Sequence, residues 1–181
     1  MRNMNNSSLP QRICVIGTSG AGKTILARQV AQKLNIPHFE LDSLFWEPNW
    51  VIAPMDVFRR RVEESLMGNS WIVDGNYSKV RDIVWGKADT LVWLDYSFPV
   101  VMSRIIWRSF HRIVTKQQVC NGNYETWQKL FSKESIILWS LQTYRRRKKE
   151  YPILIKQPEY SHLHIVRLTS PQAALYWLST L

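Results

Sequence analysis

The stretch Gly17-Thr18-Ser19-Gly20-Ala21-Gly22-Lys23-Thr24 constrains this chain more than any other. Its spacing is G-x-x-x-x-G-K-[ST], the pattern of a loop that wraps phosphate oxygens with backbone N–H groups. The backbone must come close to the anion, and a side chain at Gly22 would obstruct that approach. Lys23 is expected to reach the β- and γ-phosphates of a nucleotide, and the Thr24 hydroxyl to ligate Mg²⁺. The helix that follows would aim its positive end at the anion. Residues Gly17 to Thr24 are therefore the candidate ATP contacts.

The flanks agree with the motif. Arg12-Ile13-Cys14-Val15-Ile16 is a short apolar run that reads as a buried parallel strand. Ile25 to Leu34 reads as a helix, with Leu26, Val30 and Leu34 on one face and Ala27 and Ala31 beside them. A glycine-rich turn without ligand is the alternative, and the strand–loop–helix order argues against it.

The same alternation continues. Asn35 and Pro37 stop the helix, and His38–Leu41 reads as a second strand ending at Asp42. Trp71–Val73 is a third strand running into Asp74-Gly75, Thr90–Leu94 a fourth ending at Asp95, and His164–Leu168 a fifth. Helices are expected over Met55–Met67, Ser78–Trp85, Phe98–Val114, Glu134–Lys149 and Pro171–Leu178. Five strands alternating with helices predict an α/β chain, a three-layer α/β/α fold around a parallel sheet.

In such sheets ligands bind beyond the carboxyl ends of the strands, which makes the three strand-end aspartates informative. Asp74 is the expected metal-associated carboxylate, partner to Thr24 on Mg²⁺, with Asp95 the second candidate. Asp42 would face a phosphoryl acceptor; a cap or turn residue is the alternative. The aromatic stretch Ser43–Pro54, with Phe45, Trp46 and Trp50, either lines an acceptor pocket or packs on the sheet. One of Arg59, Arg60 and Arg61 could reach an acceptor phosphate; a solvated face is the alternative.

Charge marks a further segment. The formal net charge is +10, and much of the excess lies between Arg104 and Lys149. Arg104, Arg108 and Arg112 recur at i, i+4, i+8 and form one helical stripe, and Val101, Ile105 and Ile113 supply an apolar face. The second helix carries Ile137, Leu141 and Tyr144 and ends in Arg145-Arg146-Arg147-Lys148-Lys149. Two arginine-bearing helices joined by a polar tip, Asn121-Gly122-Asn123, suggest a lid over residues 104–147. Arg104, Arg108 and Arg147 would neutralise charge on a transferring phosphoryl group, because the guanidinium fork binds phosphate oxygens bidentately. Lys148 and Lys149 suit a solvated helix end. A nucleic-acid patch beside Trp107, Trp127 and Trp139 is the less favoured reading.

The remaining bounds are simple. The 181 residues suit one domain, 12–181, behind a disordered leader, 1–11. No run of about 18 apolar residues predicts a membrane span. Two cysteines, Cys14 and Cys120, make no disulfide framework and fit the cytoplasm. Monomer and homodimer are both compatible with this composition.

These stretches resemble the adenylate-kinase-like group of phosphate-loop kinases. More closely, Gly17–Thr24, His38–Asp42 with Trp46-Glu47-Pro48, Trp71–Tyr77 with Ser78-Lys79-Val80-Arg81, Leu91–Tyr96 and Tyr144–Arg147 resemble the small bacterial proteins labelled "DNA topology modulation protein". The resemblance implies a sheet order 2-3-1-4-5, ATP on the loop and a lid after the fourth strand. It implies that Arg104 and Arg108 open the lid and that Arg147 with Tyr151 closes it. Asp74-Gly75 matches the first two positions of the group's Asp-Gly-Phe-Pro-Arg segment; Asn76, Tyr77 and Ser78 replace the rest. The arginine that grips an acceptor monophosphate there is missing, and Arg81 lies one turn later. No four-cysteine set for zinc occurs. The expectation is an ATP-dependent phosphotransferase with Mg²⁺, acting on a nucleotide, nucleoside or other small acceptor. The alternative is a nucleotide-regulated, DNA-associated protein. In the first, Lys23, Asp42, Arg104, Arg108 and Arg147 carry the chemistry, with Asp42 as base or as binding residue.

Overall fold

Five parallel strands form the centre of the molecule, with helices on both faces. The structure is a computed structural model that describes residues 10–130 and 136–181. The expected leader up to residue 9 and the expected helix start at Glu134 lie outside the described residues. β1 (Arg12–Gly17) runs through the glycine loop into α1 (Lys23–Leu34), and β2 (His38–Glu40) into the short α2 (Leu41–Phe45). α3 (Met55–Ser65) precedes β3 (Trp71–Asp74), and α4 (Arg81–Lys87) precedes β4 (Thr90–Leu94). Then come α5 (Phe98–Val114), α6 (Trp127–Leu130), α7 (Ile136–Leu154), β5 (His164–Leu168) and α8 (Pro171–Thr180).

β1 lies in the middle, with Val15 beside Asp74 of β3 and Gly17 beside Leu94 of β4. β2 lies beyond β3, Glu40 beside Asp74, and β5 beyond β4, Leu168 beside Leu94. In chain order of these five strands the sheet reads 2-3-1-4-5. The chain builds β2 and β3 on one side of β1, then β4 and β5 on the other. Ligands of open α/β sheets bind at such a reversal, where the strand ends part.

Burial on both faces explains why the strands read as nearly continuous apolar runs. Cys14, Ile16, Trp71, Val73, Leu91 and Trp93 face one layer, with Phe58 and Val62 of α3, Trp85 of α4 and Tyr151 of α7. Ile13, Val15, Ile72, Val92 and Leu94 face the other, with Leu26 and Val30 of α1 and Val101 and Ile105 of α5. Each large side chain removed from water contributes about 1.5–3 kcal/mol.

Several boundaries differ from the expectation. α1 starts at Lys23, because Gly22 takes a left-handed conformation (φ 92) as its cap; Asn35 ends it in another (φ 53). β2 stops at Glu40, so Leu41 and Asp42 open α2. Within Ser43–Pro54, Trp46–Glu47 and Val51–Ile52 pair as a small antiparallel hairpin around Asn49 (φ 62). Phe45 anchors it, edge-on to Phe58 with ring centres 5.1 Å apart. α7 continues past Lys149 to Leu154 although Pro152 cannot donate to the Lys148 carbonyl. Burial of Tyr151 against Trp85 and Trp93 offsets that loss. On α7, Ile137 and Tyr144 pack on the core as expected, but Leu141 is exposed, and Ser140, Thr143, Arg147 and Tyr151 are the buried residues. Among the described residues, no helix is long and apolar enough to cross a membrane.

Candidate functional site

The glycine loop lies at the carboxyl end of β1 with α5 packed directly on it. A Cβ at Gly20 (φ 79) would stand 2.5 Å from Ile105 Cγ1 and 2.8 Å from the Val101 carbonyl oxygen, so no side chain fits. Asn76 clamps the start of the loop: its Oδ1 accepts the Gly17 N–H at 3.2 Å, and its Nδ2 donates to the Gly17 carbonyl. An amide at this position therefore joins the ends of β1 and β3 where the ladder has stopped. The Ala21 N–H closes the loop onto the Thr18 carbonyl at 3.1 Å.

Lys23 bends over its own loop, Nζ 3.4 Å from the Thr18 carbonyl. Burial pushes its ammonium down to about 8. Asp74 and Asp42 oppose that shift, while Arg147 and Arg108 add to it. These five side chains thus share one electrostatic neighbourhood.

Asp74 is 5% exposed at the end of β3. Its Oδ2 accepts the Thr24 hydroxyl at 2.8 Å, and its Oδ1 lies 2.8 Å from Nε2 of His38 on β2. A hydroxyl beside a carboxylate is a hard-oxygen donor set of the kind Mg²⁺ takes, with waters and phosphates completing the shell. Asp95, the second candidate, is engaged elsewhere: Arg167 reaches it at 2.5 Å and Lys148 at 3.4 Å.

The arginine stripe of α5 divides. Arg104 donates to the Ala21 carbonyl at 3.3 Å, over the loop, and lies 5.6 Å from the Tyr96 ring centre. Arg112 pairs with Glu125 at 2.7 Å. Arg108 lies between them, and its buried Nε has no hydrogen-bond partner. Arg147 of α7 is 7% exposed, stacks 4.5 Å from the Trp139 ring centre, and has an unpartnered Nη1. Burial lowers the guanidinium pKa of both Arg108 and Arg147, and the Asp42 charge acts on each in the opposite sense. Buried cationic donors without partners are costly in a finished core, so a cleft that gathers two of them is suited to an anion.

Asp42 is exposed at the start of α2, and its Oδ1 accepts the Tyr77 hydroxyl at 2.7 Å. Tyr77 is wedged between Phe45 (4.7 Å between ring centres) and Phe58 (5.2 Å), which fixes where it holds the carboxylate. Burial and the Asp42 charge both raise the phenol's pKa, so Tyr77 stays a donor. Arg59 pairs with Asp82 and Arg61 with Glu47, the latter at 2.7 Å, so neither is directed at this cleft. Arg81 covers the Trp85 ring at 5.2 Å. An open groove of about 640 Å³ between α3 and α4 is a separate surface of mixed charge.

His38, Asn76 and Tyr77 were not assigned roles from the sequence. The available signal was the replacement of Phe and Pro by Asn76 and Tyr77 after Asp74-Gly75: polar groups where the related segment is apolar.

Residues 13–73, from β1 to β3, match the family model described as "ATPase family associated with various cellular activities (AAA)". Over nearly the whole chain the fold is that of small phosphate-loop kinases. The shikimate kinase of Bacteroides thetaiotaomicron superposes with a TM-score of 0.55 at 17% identity, covering 94% of this chain and 96% of that one. The shikimate kinase of Acinetobacter baumannii, in complex with shikimate, gives 0.54 at 14% identity, covering 95% and 90%. A gluconokinase from Sinorhizobium meliloti 1021 gives 0.52 at 18%, covering 94% and 93%. At such identities the likeness is one of fold. The fold and the glycine loop together are similar to those of P-loop NTPases.

Proposed function

We propose that this chain is an ATP-dependent kinase that transfers the γ-phosphoryl group of ATP to a hydroxyl of a small molecule. The observation that carries this reading is the gathering of Lys23, Arg108 and Arg147 around the cleft, with buried guanidinium nitrogens left unpartnered. Cations placed where charge develops on a transferring phosphoryl group are the main catalytic device of such enzymes. In this reading α5 and α7, with the tip between them, are the lid, and Arg104 secures it to the loop.

The loop amides and Lys23 hold the β- and γ-phosphates. Thr24 and Asp74 would hold Mg²⁺, which when bound neutralises charge on those phosphates. His38 keeps the Asp74 carboxylate turned toward Thr24. Asp42 accepts the proton of the acceptor hydroxyl as that oxygen bonds to the γ-phosphorus. The bond from the γ-phosphorus to its bridging oxygen breaks, and ADP leaves. Arg108 and Arg147 stabilise the oxygens in flight.

A hydroxyl acceptor is favoured over a monophosphate for a physical reason. An exposed carboxylate repels a phosphate monoester but accepts a hydroxyl proton, and Ser78 stands where the related segment has its phosphate-gripping arginine. The neighbouring folds, named for shikimate and gluconate, support that choice. The segments from Trp71 to Tyr77 and Leu91 to Tyr96 support placing the chain with the bacterial "DNA topology modulation" proteins. The kinase reading is favoured over a DNA-binding role because Arg108 and Arg147 are turned into the cleft and Arg112 is paired with Glu125.

The test is Mg²⁺-dependent ADP release across nucleoside monophosphates, nucleosides, sugars and small hydroxy acids, with Lys23→Ala as control. Stimulation by one hydroxyl-bearing member, lost in the control, is expected. Stimulation confined to a monophosphate would overturn the acceptor class, and none from any member would overturn the kinase reading.

A further inference from the structure

The tip between α5 and α6 and the hairpin after α2 are distant in sequence, yet they are stitched together. Asn123 is 3% exposed; its Oδ1 accepts the Trp50 backbone N–H at 2.7 Å, and its Nδ2 donates to the Glu47 carbonyl at 3.0 Å and the Cys120 carbonyl at 2.9 Å. Asn121 Nδ2 donates to the Ser43 carbonyl at 2.8 Å and also to the Trp46 carbonyl. The Trp50 indole N–H adds a bond to the Tyr124 carbonyl at 3.1 Å. Within the tip, the Val119 N–H bonds the Asn123 carbonyl at 2.7 Å. Asn121 (φ 53) and Gly122 (φ 74) make the left-handed turn that lets both asparagine amides face the same way.

The choice of residue is chemically narrow. Only an amide offers an acceptor and two donors on one short side chain. Aspartate would keep the bond from Trp50 and lose both donors, and glutamine would add a methylene. The ends of the clasp also matter. Ser43 is the residue after Asp42, and the Arg112–Glu125 pair ties the tip to α5 one turn beyond Arg108. The clasp therefore links the neighbour of the candidate base to the helix that carries the candidate phosphoryl clamp.

We propose that Asn121 and Asn123 are positioning residues that seat the tip on the hairpin, so that Arg108 and the acceptor pocket around Asp42 are assembled in one step. The clasp itself stands on hydrogen bonds; its catalytic consequence rests on the kinase reading above. The two parts fail separately in the following test. Amide hydrogen exchange on the full chain is compared for the native protein, Asn123→Ala and the milder Asn121→Ala. Exchange within residues 46–52 and 118–124 is expected to speed up together by about tenfold or more, while residues 13–34 and 71–94 stay protected. Loosening of the tip with an unchanged hairpin in both variants would overturn the clasp. With whichever panel acceptor stimulates ADP release, Asn123→Ala is expected to raise the acceptor KM about tenfold and change the ATP KM less than about twofold. Asn123→Asp, which keeps the Trp50 bond, should fall between Asn123→Ala and the native protein. An equal rise in both KM values, or a change in kcat alone, would overturn the positioning role. A panel with no stimulating member counts against the kinase reading, and the exchange result still decides the clasp.

Discussion

Around Gly17–Thr24 the structure is held mostly by main chain, a strand in register on both sides, a left-handed glycine cap and a helix packed against Gly20, with Asn76 and Arg104 adding side-chain bonds. Around Asp42 it is held by side chains from far along the sequence, with Tyr77 on the carboxylate and Asn121 and Asn123 on the hairpin. On the kinase reading, the donor side of the cleft is thus fixed mainly by the sheet. The acceptor side is fixed by contacts that exist only when three separate segments meet. A cleft built this way would keep a nucleotide site rigid while an acceptor site beside it is reshaped by a few substitutions.

Four measurements press on that contrast. The largest effect is expected on the donor side. Lys23→Ala should lower acceptor-dependent ADP release about a thousandfold, as loss of a preorganised phosphate donor does, with thermal stability little changed. Asp42→Asn should next lower turnover about a hundredfold while leaving binding of a non-hydrolysable ATP analogue intact. If nucleotide binding fell in step with turnover, the two sides would not be separable. Gly20→Ala should cost about 1–3 kcal/mol by thermal melting and weaken nucleotide binding, because the new Cβ meets Ile105 and the Val101 carbonyl in a left-handed backbone. An undisturbed melting curve would show that α5 yields.

The smallest effect is on pH dependence. Burial holds Lys23 down to about 8 in the empty protein. Below that value it is charged; as pH rises through it, the ammonium loses its proton. Bound phosphates favour the charged form, so nucleotide binding should take up a proton above about pH 8, and affinity should fall by up to about tenfold per pH unit there. Calorimetry in two buffers of different ionisation enthalpy measures this uptake. Lys23→Ala should abolish it.

The arginines show how far a helical period can be read. Spacing alone puts Arg104, Arg108 and Arg112 on one stripe of α5, and the stripe is real. Yet the three side chains do different things: one crosses the loop, one ends unpartnered in the cleft, and one meets Glu125. Periodicity sets direction from the helix axis, whereas the partner depends on what stands opposite at each turn. α7 adds buried polar residues to its apolar contacts, Ile137 and Tyr144. Ser140 and Thr143 are buried because α7 lies close against its neighbours, and small side chains permit that approach.

By itself the sequence determined the strand–loop–helix unit, the five alternating strands and the aspartates at the ends of β3 and β4. Those are local patterns: a buried parallel strand needs a short apolar run, and a phosphate loop needs glycines at set spacing. Tertiary structure alone decided that His38 meets Asp74, that Asn76 clamps Gly17, and that the tip rests on the hairpin. Each of those is a side-chain bond between residues far apart in the chain, and its geometry comes into being only when the sheet has brought the strand ends together.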